Sequence, residues 1–324
     1  MKILVTGGAG YIGSFAVNGL LDKGYEVVIL DSFERGHKET VDKRAEVIKL
    51  DILDKSLSEV FSKYNFDGVM HFAGYISMEE SMQNPGLYFY KNTTASQLLI
   101  EQVVKHQVKH FIFSSTAGVY GNPIKVPIPE DHPQHPTNPY GESKLMVEKI
   151  LSWYQKIYGL SFVSLRYFNA AGASLDGSFG EDHSPETHII PLAIKAAIDN
   201  KEFVLYGTDY NTKDGSCIRD YIHVVDLVEA HLLALEKLQK ENGGYFYNVG
   251  AGNGYSNKEV IEMVKKVSGI DFLVKEAQRR PGDAQTLIAD PTNIKKELGF
   301  SPKYSDLQTI IESVWQWHKN KKGN

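Results

Sequence analysis

Seven residues near the start of the chain, Gly7-Gly8-Ala9-Gly10-Tyr11-Ile12-Gly13, constrain its fold more than any other stretch. They follow the apolar run Ile3-Leu4-Val5. They lead into a segment from Tyr11 to Lys23 in which Ile12, Ala16 and Leu20 recur at helical spacing, closed by Gly24. Strand, glycine turn and helix in direct succession open a βαβ unit. The glycines fit G-x-G-x-x-G at Gly8, Gly10 and Gly13, and G-x-x-G-x-x-G at Gly7, Gly10 and Gly13. Such a turn lets the backbone approach a pyrophosphate, and the helix N-terminus offers free N–H groups and a positive dipole end. Glycine-rich turns are common, so context decides. A second strand, Glu26 to Asp31, ends in a carboxylate 18 residues beyond Gly13. An acid there accepts hydrogen bonds from both ribose hydroxyls and repels a 2′-phosphate, which favours NAD over NADP. Arg35 speaks the other way, because arginine receives a 2′-phosphate.

The same alternation continues. Glu46 to Leu50, Gly68 to His71, His110 to Ser115, Phe162 to Arg166 and Tyr245 to Val249 read as strands. Tyr88 to His106 and Gly141 to Tyr158 read as long helices. This pattern predicts an α/β fold, a Rossmann-type doubly wound parallel sheet whose strand C-termini line one ligand edge. From residue 172 to 220 the chain is rich in Gly, Asp, His and Pro, and from Ser256 onward the pattern is mostly helical. The expected organisation is a nucleotide-binding domain over residues 1–172, with returning segments near 221–251. A smaller C-terminal α/β lobe for substrate is expected mainly over 173–324.

Composition narrows the function classes. The 324 residues carry a net charge of -5, so a sequence-independent nucleic-acid binder with a basic face is not expected. A single cysteine, Cys217, leaves no intramolecular disulfide and no cysteine-based zinc site. The short apolar N-terminus and the lack of any long apolar run predict neither a signal peptide nor a membrane span. A cytoplasmic protein is expected.

Tyr140-Gly141-Glu142-Ser143-Lys144 is Y-x-x-x-K, which on a helix places both side chains on one face. An ammonium beside the phenol favours phenolate and lowers the tyrosine pKa from its ordinary value of about 10. Tyr140 so tuned is a candidate general base. The motif follows a Pro-rich loop and lies 24 residues beyond Ser114-Ser115-Thr116, hydroxyls that end a strand on the ligand edge. Asp51 and Ile52 follow the third strand at the adenine end, although Asp51 also reads as a capping residue. His71-Phe72-Ala73-Gly74 follow the fourth strand, with small residues that let a cofactor pass close. His71 reads equally well as a structural histidine.

These stretches are similar to the extended short-chain dehydrogenase/reductase family, and within it to the UDP-glucose 4-epimerases. The resemblance is carried by the glycine run with Ser14, by His71-Phe72-Ala73-Gly74, Phe113 to Ala117, Val119-Tyr120-Gly121, Pro139-Tyr140-Gly141 and Ser143-Lys144. It continues through Arg166 to Ala173, Gly180-Glu181-Asp182-His183 and Arg279-Arg280-Pro281-Gly282-Asp283. Its most specific part is Gly207 to Tyr210 with Asp214 to Val224. It implies interconversion of UDP-galactose and UDP-glucose by transient oxidation at C4′. Tyr140 would take the 4′-hydroxyl proton, Thr116 would bind the same oxygen, and Lys144 would tune Tyr140 and hold the nicotinamide ribose. Bound NAD would be contacted by Gly7, Gly10, Tyr11, Ile12, Gly13, Asp31, Asp51, Ile52, Phe72, Ala73, Asn92, Ser114, Tyr140, Lys144 and Phe168. Arg219 and Arg280 would hold the diphosphate, since guanidinium forks match phosphate oxygens. Asn169 would lie beside it, His188 and Ile189 at the uridine, and Asp283 at the ribose. No metal is implied, and a homodimer is, with the two long helices of each copy forming a four-helix bundle. Their apolar stripes are also long enough to be used up against the sheet.

Phe15, Ile76 and Met78-Glu79 depart from the residues usual in that family. Leu287, at a position that sets the room around the sugar C2 substituent, favours UDP-glucose and UDP-galactose and leaves N-acetylated sugars open. Three other readings stand beside this one. A 4,6-dehydratase needs an Asp-Glu pair where Ala117-Gly118 follow Thr116. Epimerisation of UDP-glucuronate or UDP-xylose would need only a different pocket. A non-catalytic NAD-binding scaffold protein commonly loses the Tyr or the Lys, and this chain keeps both.

Overall fold

Runs rich in valine, isoleucine and phenylalanine build one seven-stranded parallel sheet. In the structure, a computed structural model that describes residues 1–280 and 283–323, its first six strands are β1 (Lys2–Thr6), β2 (Glu26–Asp31), β3 (Glu46–Lys49), β4 (Gly68–His71), β5 (His110–Thr116) and β6 (Ser161–Tyr167). The seventh is Gly244–Val249. Across the sheet the order runs from Gly244–Val249 through β6, β5, β4, β1 and β2 to β3. Every neighbouring pair is parallel. The sequence order therefore reverses between β1 and β4, which opens a crevice at their C-terminal ends.

Ile3, Leu4 and Val5 are all fully buried, so β1 is covered on both faces. On one side Val17 and Leu20 of the helix Tyr11–Asp22 pack with Leu227 and Val228 of the helix Val224–Lys240. On the other, Leu99 and Val103 of the helix Ala95–Lys105 pack with Val147 and Leu151 of the helix Pro139–Tyr158. The smaller lobe has its own core, with Ile194, Val260, Ile261, Ile310 and Ile311 at its centre.

All seven expected strands form, with ends shifted by a residue or less. The first long helical run begins earlier than expected, at Pro85, and is not uniform. Residues Phe89–Thr94 form a wider π-helical turn before Ala95–Lys105. Asn92 lies in that turn, a common setting for functional residues. The helix expected from Gly141 starts at Pro139, because the Asn138 side chain accepts from Gly141 N at 2.9 Å. The helices Val224–Lys240 and Ile189–Asp199 are not among the expected elements. The first follows the strand Tyr221–His223 with no spacer, and its cap is His223, whose Nδ1 accepts from Val225 N. Histidine is not a usual cap residue.

Beneath β5 and β6 lies a buried ion pair. Arg166 donates to both Glu148 oxygens (3.0 and 2.8 Å) and to Tyr120 Oη, and Ser115 and Ser164 donate to Glu148. Arg166→Met strands a buried carboxylate, and the expected cost is about 3–5 kcal/mol. Urea unfolding measures it, and a loss below about 1 kcal/mol would contradict the account. Among the described residues no helix is long and apolar enough to cross a membrane.

Candidate functional site

The glycine run turns as its spacing requires. Gly7 has a φ of +72°, and a Cβ there would stand 2.5 Å from Ala73 N. At Gly13 a Cβ would stand 2.1 Å from Gly7 O. Backbone therefore meets backbone across β1 and β4 at the crevice, leaving a cradle that side chains would fill. Tyr11 and Ile12 open the helix above it, and Tyr11 Oη donates to Gly172 O at 2.6 Å.

Asp31, at the end of β2, is buried and accepts from Ala9 N (3.0 Å) and Phe33 N (2.8 Å). A carboxylate has about four lone-pair sites, so acceptor capacity for ribose hydroxyls remains. The residues fit an NAD, and Arg35 does not argue against it. Arg35 is clamped by Glu80 at 2.7 and 2.9 Å and stacks 3.9 Å from the Tyr75 ring. Its charge is already matched. Asp31→Asn is expected to weaken NAD binding about tenfold or more and to narrow its preference over NADP. Calorimetric titration of nucleotide-free protein checks this; unchanged affinity would remove Asp31 from the site.

Asp51 accepts from Leu53 N and from Lys91, which also reaches Glu34. The turn that Asp51 closes matches its reading as a structural residue. Ile52 is buried beside it. His71 is structural. Its ring lies between Thr6 Oγ1 (2.7 Å) and Ser96 Oγ (2.8 Å), and burial pushes its pKa down to about 3. Phe72 packs on the His231 ring, and Ala73 N donates to Thr6 O. Phe15 stacks on Phe179 at 4.2 Å, so this departure is a packing residue. Ile76 and Met78 are exposed.

Asn92 ties the parts together. It accepts from Tyr75 N, and donates to Tyr75 O and to Ser143 Oγ, which itself donates to Tyr140 O. Strand-end loop and Tyr140 helix are thereby fixed to each other. Gly141 makes the other close approach, because a Cβ there would lie 2.6 Å from Gly118 O. That contact presses the turn after Thr116 onto the helix start, and brings the Thr116 side chain near enough to Tyr140 to act on its phenol. Thr116 Oγ1 also accepts from Gly118 N.

Lys144 is buried and donates to Ser114 O at 2.9 Å. Burial lowers its pKa to about 8. Tyr140 differs from the sequence expectation. Burial holds its phenol above the ordinary value, with the nearby Thr116 side chain opposing. Lys144 is directed to the Ser114 carbonyl instead. Ser114 hydrogen-bonds to Tyr167, which meets His231 Nε2. Ser115, by contrast, points to Glu148 and away from the crevice.

The phosphate-side candidates gather on the smaller lobe. Arg219 Nη2 lies 3.9 Å from Asp283 Oδ1, and Arg280 Nε donates to Asp283 Oδ2 at 3.2 Å. Pro281 and Gly282 of the same motif lie outside the described residues. Asn169 pairs in register with Tyr221, next to Arg219, and its side chain donates to Asp220 O. Leu287 pairs with Arg219 and, like Phe168, packs against the apolar cluster formed by Ala117, Val119, Tyr120, Ile128 and Leu145. His188 caps the helix that Ile189 begins, and its Nδ1 faces Glu181.

The sequence pattern of the NAD dependent epimerase/dehydratase family matches residues 3–250. The chain belongs to that family. Its curated relatives include the UDP-glucose 4-epimerase of Lacticaseibacillus casei, 48% identical over 322 residues, which are 99% of this chain and 97% of the relative. A solved structure of UDP-glucose 4-epimerase from Brucella ovis in complex with NAD is 42% identical, covers 97% of both chains and superposes with a TM-score of 0.93. One from Bifidobacterium longum, in complex with NAD+ and UDP, is 37% identical over the whole of both chains, with a TM-score of 0.94. The family reading made from the motifs is correct. The acid and histidine cluster that Glu181 and His188 share with His183 and Glu186 was not legible as a unit. Glu181 and His183 belong to one motif and His188 to the expected uridine contact, while Glu186 belongs to no motif in the sequence.

Proposed function

We infer that the chain is a UDP-glucose 4-epimerase, interconverting UDP-galactose and UDP-glucose through transient oxidation at C4′. Tyr140 at the sheet's ligand edge, its phenol close to the strand-end Thr116 and Lys144 four residues on along the same helix face, carries this reading. Bound NAD supplies the hydride acceptor and donor for that oxidation and its reversal. Tyr140 takes the proton from the 4′-hydroxyl and returns it, while Thr116 holds the same oxygen. Lys144, directed to Ser114 O beside the strand end, holds the nicotinamide ribose. Arg219 and Arg280 hold the diphosphate, Asn169 borders it, His188 and Ile189 flank the uridine, and Asp283 binds ribose. A firm hold on the diphosphate and a loose one on the hexose suit a sugar that must turn over between two faces.

The lobe mainly beyond residue 172 is thus the UDP-sugar lobe, and the sheet with its returning segments the NAD domain. Ala117, buried where a dehydratase needs an acid, supports epimerisation over dehydration. Leu287 leaves room beside that turn, so other UDP-sugars form the second reading. A homodimer is supported by Met146, Trp153, Ile157 and Tyr158, exposed on the helix Pro139–Tyr158 while Leu145, Val147 and Leu151 face inward. A lone buried thiol and a nucleotide-sugar substrate suit the cytoplasm.

Proton NMR of the sugar anomeric signals, with purified protein and UDP-galactose and no added cofactor, tests the proposal. Growth of UDP-glucose to a stable mixture is expected. No conversion, even with NAD added, would overturn it, and UDP-N-acetylglucosamine and UDP-glucuronate then test the second reading.

A further inference from the structure

The loop before the helix Ile189–Asp199 carries Glu181, His183, Glu186 and His188, one potential ligand atom from each lying within 4.8 Å of all the others. Glu181 and Glu186 have side chains only 3% and 4% exposed. Two buried carboxylates side by side are costly unless positive charge matches them. Among the described residues, the cationic groups within ion-pair distance of Glu181 and Glu186 are these two imidazoles. His188 Nδ1 is 2.6 Å from Glu181 Oε1, and His183 Nδ1 is 2.9 Å from the same oxygen. Even so, Glu181 Oε1, His183 Nδ1 and Glu186 Oε2 are sealed from solvent and make no hydrogen bond. Glu186 Oε1 is meanwhile occupied by Thr187 N and His188 N. Donor atoms that converge without hydrogen-bond alignment are arranged as metal ligands are. Tetrahedral zinc bonds of about 2.0–2.2 Å place donors about 3.3–3.6 Å apart, so both imidazole nitrogens would draw back from Glu181 Oε1 by about 0.4–1.0 Å as a metal enters.

We propose that Glu181, His183, Glu186 and His188 form a closed four-ligand site for a divalent transition metal, zinc by its two-imidazole, two-carboxylate donor set. One dication balances both carboxylates while leaving both imidazoles neutral, and four protein ligands mark a structural site. Its position gives it a purpose. The His183 ring meets Tyr11 edge-on at 6.3 Å, and His37 Nε2 lies 2.7 Å from Asp182 O. The negative field of the cluster is felt at Tyr11, whose phenol is raised first by burial and then by Glu181 and Glu186. The metal would fasten the loop of the smaller lobe against the glycine-run helix and fix the start of the Ile189–Asp199 helix.

Cobalt(II) titration of chelator-treated full-length protein tests this, read by visible absorption. One cobalt per chain with the intense bands of tetrahedral coordination is expected, displaced by zinc and accompanied by a rise in Tm. Glu186→Gln and His183→Gln should each weaken cobalt binding at least about 10²-fold. Weak octahedral bands with the native protein would overturn the proposal, whether or not the variants fold. So would intense bands that persist unchanged in both variants.

Discussion

Tyr140→Phe is expected to lower kcat by about 10²–10⁴-fold, the range for removal of a general base, with KM little changed. The substitution is narrow. Tyr140 meets the Tyr88 ring edge-on at 6.4 Å, and Phe keeps that packing. Only the hydroxyl that reaches Thr116 is lost. Folding should be unaffected or slightly improved, since a buried phenol gives way to a ring without a polar atom. Steady-state kinetics with UDP-galactose provide the check. A variant retaining more than a tenth of native kcat would mean that the proton is taken elsewhere.

Lys144→Met is expected to have two opposed effects. Activity should fall on the order of 10²-fold, because the group that ties the helix to Ser114 O and would hold the nicotinamide ribose is gone. Stability should rise. The lysine has a pKa near 8 in the folded chain against about 10.4 when unfolded, so the unfolded chain binds more protons between those values. Native stability therefore increases with pH across that window, and the full penalty of the buried charge applies below it. At pH 7 the Met variant should be more stable by about 3 kcal/mol, from roughly 1.4 kcal/mol per pKa unit. The gap should close as pH passes from 8 to above 10. Urea unfolding of nucleotide-free protein across that range decides the matter. A gap that is constant with pH would assign the difference to packing instead.

What was legible in the chain was what neighbouring residues decide. The strands announce themselves through short runs such as Glu26–Asp31, and the glycine run through residues in direct succession. Tyr140 and Lys144 share a face because they are four apart on one helix. What needed the folded chain were pairings across distance. The Arg35 charge looked available to a 2′-phosphate until Glu80, 45 residues on, was found clamping it. Asn92 reaches Ser143 across 51 residues. The direction of the Tyr140 shift also came out reversed, because its burial depends on how the strand-end loop and the helix close together. The Val224–Lys240 helix was hidden by an unusual cap and by a strand that ends where the helix begins.

The contact between Arg219, Arg280 and Asp283 has a consequence for the timing of costs. Two guanidinium groups brought to one place repel each other, and a diphosphate would ordinarily have to overcome that repulsion as it arrives. Here an internal anion already sits between them, so the work of gathering the cations is done when the chain folds. The incoming nucleotide meets a receptor assembled in advance. With the diphosphate and ribose roles proposed for these residues, it would need only to exchange places with the Asp283 carboxylate, so capture and release of product would become two directions of one anion swap.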